Sequence, residues 1–173
     1  MGKIKLVVPS MAYEEQIKSY REEFLKHGDS MDGTSFLHEY ENIQDWLAFI
    51  EKNSQEETVT EGLVVATEFL AVRLSDNQLV GMIDIRHTLN DFLLKIGGHI
   101  GYSVRRSEWN KGYAKEMLKE ALVFCQTIGL ESVLVTCDTV NIGSAKVIQA
   151  NGGQLENETL YEGVPIQRYW INT

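Results

Sequence analysis

The period of the apolar positions changes several times along the chain, and each change marks an element. Lys3 to Val8 alternates weakly and reads as a short strand ending at Pro9. Tyr13, Ile17, Tyr20 and Phe24 then recur at spacings of four, three and four, which is one face of a helix. Ser10 offers its N-cap, Glu14 and Glu15 suit its first turn, and Gly28 ends it. Asp29 to His38 is loop-like. Ile43, Trp46, Leu47 and Ile50 form a second short amphipathic helix, followed by a polar break from Lys52 to Glu61. Short strands follow at Phe69–Leu74, Leu79–Arg86 and His99–Val104, the first two joined by a tight turn at Asp76-Asn77. Ala114, Met117, Leu118, Ala121, Leu122 and Cys125 mark a helix stopped by Gly129, and Ser132–Cys137 is a β-branched buried strand. A helix from about Gly143 to Ala150 and two strands, 154–161 and 165–171, turning at Glu162-Gly163, complete the chain. The order predicts an α/β (α+β) single domain, a mixed central sheet of about six to seven strands with helices on both faces.

Composition narrows the function. The 173 residues carry 25 acidic and 16 basic side chains, a net charge of −9. Such an excess argues against nucleic acid and against an anionic membrane surface as partners. No apolar stretch is long enough for a membrane span, and the N-terminus lacks the pattern of a signal peptide, so a cytoplasmic location is expected. Cys125 and Cys137 fit core thiols, with neither a disulfide framework nor a metal site.

Candidate chemistry centres on residues 100–114. A strand runs into a loop with Arg105, Arg106 and Lys111, and the loop opens a helix at Gly112. Free N–H groups and a partial positive charge at a helix start suit a pyrophosphate, and a glycine there lets the backbone approach it. From Arg105 to Lys119 five basic residues face two acidic ones, so this segment is +3 within a −9 protein. A Gly-x-x-x-x-Gly-Lys-Ser/Thr loop is absent. Gly98-x-x-Gly101 leads into a strand and has Ile96 where a dinucleotide fingerprint needs glycine.

Trp109-Asn110-Lys111-Gly112-Tyr113-Ala114 is similar to the Arg/Gln-x-x-Gly-x-Gly/Ala signature of the GNAT superfamily of acetyl-CoA-dependent N-acetyltransferases, with Trp109 in place of Arg/Gln. Asn141-Ile142-Gly143-Ser144, followed by Asn151-Gly152-Gly153, resembles that family's Asn-x-x-Ser/Ala helix and its closing turn. The resemblance runs from about Glu68 to Trp170. It is closest to uncharacterised bacterial members with Ile83–His87 and Gly97–Val104 strands of this kind. It implies one N-acetyltransferase domain over 1–173, with a helical acceptor-side region at about 10–61 and an acetyl-CoA-binding core at about 68–173. The cosubstrate would lie against Tyr102, Ser103, Val104, Trp109, Asn110, Lys111, Gly112, Tyr113, Ala114, Asn141 and Ser144, without a metal. Arg105 or Arg106 would replace the missing signature charge.

The implied reaction is direct attack of a primary amine, on a small molecule or a peptide or protein, on the acetyl thioester. His99, at the start of the fourth strand, is the base candidate by resemblance. Asp84 is a second candidate, because it alternates with Ile83 and Ile85 on the neighbouring strand; it reads equally as an outward-facing polar residue. Ile148 stands where many members carry a tyrosine that protonates the thiolate, leaving Ser144 and Tyr169 as acid candidates. Residues up to Glu61 carry thirteen acidic and six basic side chains, a −7 wall suited to a cationic amine or simply solvated. Trp46, Tyr20 and Tyr40 would line a pocket there or belong to the core. The rival readings are a non-catalytic CoA-binding regulatory or partner-binding module and a nucleotide-binding protein. Monomer and homodimer both remain open.

Overall fold

A computed structural model describes residues 2–173. Strands β1 (Ile4–Val7), β2 (Ala66–Arg73), β3 (Leu79–Arg86) and β4 (Ile100–Val104) form one sheet in chain order. Strands β5 (Ser132–Asp138), β6 (Gln154–Tyr161) and β7 (Val164–Asn172) form a second, ordered β5-β7-β6. Every paired neighbour is antiparallel. The seven strands, expected as one mixed central sheet, thus form two antiparallel sheets that part between β4 and β5.

Helices α1 (Glu14–His27) and α2 (Ile43–Lys52) cover one face of the first sheet, and α3 (Tyr113–Thr127) covers the other. Leu70, Val72 and Met82 pack with Ile17, Tyr20, Phe24 and Trp46 of the first two helices. Ala71, Ile83 and Ile85 pack with Met117, Leu118, Ala121 and Cys125 of α3. A strand covered on both faces is buried along its length, and Leu79 to Ile85 is buried throughout. This is why Asp84 is buried instead of facing outward. Tyr20 and Trp46 are fully buried core residues.

Several ends follow local chemistry. Gly28, at φ 67°, closes α1 with its N–H on Phe24 O. Asn42 Oδ1 caps α2 through Gln44 N–H at 2.8 Å. Ser10 caps nothing with its side chain, because a 3₁₀ turn at Met11–Tyr13 intervenes before α1. β2 begins earlier than expected, at Ala66, and β1 is the edge of its sheet. Among the described residues no helix is long and apolar enough to cross a membrane.

Candidate active site

The two sheets meet at one joint. His99 N–H donates to Leu134 O at 2.7 Å, and Leu134 N–H donates to His99 Nδ1 at 2.9 Å. Beyond it β4 and β5 part, and a cleft of about 1010 Å³ opens between them. Arg86 N–H to His99 O (2.7 Å) and Arg105 N–H to Val80 O (3.0 Å) set the phase of the β3–β4 ladder. In an antiparallel pair alternate residues bond across, so Gly101 and Ser103 bond to β3. The main-chain groups of Tyr102 and Val104 face the gap.

At the far end of the cleft, Gly112 takes φ 86°, and a side chain added there would enter open space. The first helical bond of α3 is Glu116 N–H to Gly112 O at 3.3 Å. The N–H groups of Tyr113, Ala114 and Lys115 are thus left without helical acceptors, as at any helix start. Helix α4 (Ile142–Ala150) flanks the opening, with Asn141 Oδ1 accepting from Ser144 N–H at 3.1 Å. Of the residues predicted to hold the cosubstrate, all but Lys111 line this cleft.

The charges are distributed differently from expectation. Arg105 is buried, donating to Glu23 (2.9 Å), Ser19 (3.0 Å) and Leu79 O (3.2 Å), so it anchors α1 and is not available to a phosphate. Arg106 pairs with Asp29 through two nitrogens and lies 4.8 Å over the Trp109 ring. Lys111 and Arg73 both hold Glu108, at 2.8 and 2.9 Å. Lys115 and Lys146 line the cleft outside these ion pairs. Trp109 donates its indole N–H to Val104 O at 2.7 Å, occupying one carbonyl expected to face a ligand. The Ser103 and Tyr20 hydroxyls share a 2.8 Å hydrogen bond on the α1 face. Of the acidic N-terminal region, Asp29 and Asp32 line the cleft, and Asp29 is already paired.

Both base candidates lie outside the cleft lining. The His99 ring is held as an acceptor within the joint, and burial, helped by the nearby Arg86 charge, pushes its pKa down to about 4. A ring that accepts Leu134 N–H is a structural joint, a role that a histidine at a strand start does not announce. Asp84 pairs with Arg86 at 3.0 Å. Directly opposite, Glu68 accepts from Ser35 at 2.7 Å, while its Oε1 is buried without a partner. Burial, and then the Asp84 charge, hold the Glu68 carboxyl well above the usual carboxylate range. Glu68 escaped the sequence reading because it sits in an apolar strand and has no motif around it. Tyr169 donates to Gln167 at 2.7 Å, away from the cleft. Ser144 lies inside it and shares a 2.6 Å hydrogen bond with Tyr102.

A split between β4 and β5 that leads to a bare helix start defines an acyl-CoA-type transferase fold. The family model for an acetyltransferase (GNAT) domain matches residues 14–154, and the chain belongs to that family. No curated protein matches the sequence. Solved structures with this fold include the microcin C7 self-immunity acetyltransferase MccE in complex with acetyl-CoA and AMP. It is 19% identical, with TM-score 0.65 over 100% of this chain and 94% of that one. A Salmonella typhimurium acetyltransferase that modifies the N-terminal serine of ribosomal protein L7/L12 is 15% identical, with TM-score 0.65 over 100% and 96%. A spermidine N-acetyltransferase chimera of Vibrio cholerae SpeG and hSSAT is 13% identical, with TM-score 0.65 over 99% and 96%. At these identities the likeness is one of fold.

Proposed function

We propose that this protein transfers an acetyl group from acetyl-CoA to a primary amine by direct attack. The observation that carries the reading is the edge of β4 at Tyr102, whose main chain faces the gap between the joint at His99 and the bare N–H groups of α3. The N–H groups from Gly112 to Ala114 would hold the pyrophosphate, with Lys115 and Lys146 as the nearby cations. The Tyr102 main chain, facing the gap, would orient the thioester and polarise its carbonyl. MccE is named in complex with acetyl-CoA, and the other two relatives are named for amines, a polyamine and a protein N-terminus. For a cationic acceptor, Asp32 and Asp138 are the cleft carboxylates outside the ion pairs.

Calorimetric titration with acetyl-CoA, followed by thiol release over a panel of amines, tests the reading. Binding with thiol release on an amine is the expected result. Binding without turnover on any amine would make the protein a CoA-binding module, and ATP binding in place of acetyl-CoA would overturn the donor. Gly112→Glu places a carboxylate in the open space at the helix start, and acetyl-CoA affinity should fall at least about tenfold, by repulsion and lost approach. Unchanged affinity in that variant refutes the site.

A further inference from the structure

The reaction leaves a thiolate that needs a proton, and α4 offers none from Ile148, which is apolar and fully buried. We propose that Tyr102 gives its hydroxyl proton to the departing CoA sulfur, with Ser144 as the hydroxyl that holds the phenol in place and restores its proton. The inference rests on the acetyl-transfer reading.

Tyr102 lies opposite Ile83 in the β3–β4 register and packs against the core on the α3 side. From there its hydroxyl reaches α4 and meets Ser144 Oγ at 2.6 Å, inside the cleft. Ser144 is itself fixed, because Asn141 Oδ1 receives its main-chain N–H at 3.1 Å. Other protic groups near the cleft are engaged or unsuited. The Ser103 hydroxyl is bound to Tyr20 on the opposite face. The Cys137 thiol is pushed up to about 11, chiefly by burial. Tyr161, at the rim, is edge-on to Phe92. Tyr102 is also the residue whose main chain faces the gap, so one strand position would supply both the carbonyl contact and the acid. Burial pushes its phenol up to about 12, which keeps the proton in place at neutral pH.

The step balances as follows. The amine nitrogen bonds to the carbonyl carbon, the C–S bond breaks with its electron pair moving to sulfur, and the Tyr102 proton moves to that sulfur. The phenolate takes the proton of Ser144, which is restored from solvent, and the surplus amine proton leaves to water.

Tyr102→Phe keeps the ring and its packing while removing the hydroxyl. With the best amine of the panel, kcat should fall roughly 10²-fold and KM for acetyl-CoA stay within about twofold. A second measurement needs no acceptor. The thiol of enzyme-bound CoA is titrated by its thiolate ultraviolet absorbance, against protein without CoA. A phenol that donates to the sulfur stabilises the thiolate, so Tyr102→Phe should raise the pKa of the bound thiol by about one pH unit. Ser144→Ala should give a smaller effect of the same sign in both measurements. Unchanged kcat with an unchanged thiol titration overturns the proposal, and so does a loss confined to KM. A parent protein that acetylates no amine refutes the acetyl-transfer reading instead, and the titration alone then decides whether Tyr102 reaches the sulfur.

Discussion

The joint at His99 yields a pH dependence of stability with a definite sign. The ring accepts Leu134 N–H through Nδ1, so it must be neutral there, and its pKa lies at about 4 against an ordinary 6.5. Protonation therefore favours the unfolded chain. The histidine's contribution is full above pH 6.5 and falls by about 1.4 kcal/mol per pH unit below it. It levels off near pH 4, where the folded ring itself titrates. Across that window the loss is roughly 3 kcal/mol, a large share of the stability of a domain this size. Carboxylates titrate in the same range, so the quantity to measure is a difference between variants. His99→Asn offers an amide oxygen near the position of Nδ1 and does not titrate. Urea unfolding of both proteins from pH 8 to pH 4.5 should show the parent losing stability relative to the variant as pH falls, by about 2–3 kcal/mol in total. Two parallel curves would mean that the ring is not held neutral at the joint. His99→Phe removes the acceptor altogether and should cost about 1–3 kcal/mol at pH 8, from the orphaned Leu134 N–H.

Three further substitutions probe the packing around α1 and α2. Burial and the Asp84 charge hold the Glu68 carboxyl above the usual range, so the fold favours its protonated form, and that contribution is lost as pH rises toward the folded pKa. Glu68→Gln should therefore unfold at a higher urea concentration than the parent at pH 8, with the gap closing near pH 4; a gap that does not change with pH refutes this. Gly33 and Gly28 share the same φ of 67°, but a Cβ at Gly33 would strike Gly101 O, while one at Gly28 meets nothing. Gly33→Ala should cost at least about 2 kcal/mol in urea unfolding and Gly28→Ala about 1, and equal losses would show that the two loops are alike.

The elements were legible because their signals are local. Helical spacing placed α1, α2 and α3, alternation or β-branched runs placed most strands, and Glu162-Gly163 marked the hairpin that forms at φ 50° and 80°. The glycine and free N–H groups at the start of α3 could likewise be read from Gly112 and the residues after it. What escaped depends on contacts between distant positions. Nothing around His99 tells that its ring will accept the N–H of Leu134, 35 residues away. Tyr102 reads as one more strand residue until α4 folds back and brings Ser144 to its hydroxyl.

Charge shows the difference most sharply. The +3 segment and the −7 N-terminal region read as two surfaces for two ligands, but two of the segment's five basic residues are spent on that region's carboxylates. Arg105 binds Glu23 and Arg106 binds Asp29, so the ion pairs fasten α1 and the loop after it to the end of β4. Lys111 is held by Glu108 within its own segment. What remains for an anionic donor is the dipole and bare N–H groups of α3 with Lys115 and Lys146, a weaker field than the sum implied. Affinity for acetyl-CoA should then rest more on directed hydrogen bonds than on long-range attraction, and a mild dependence on salt is the consequence.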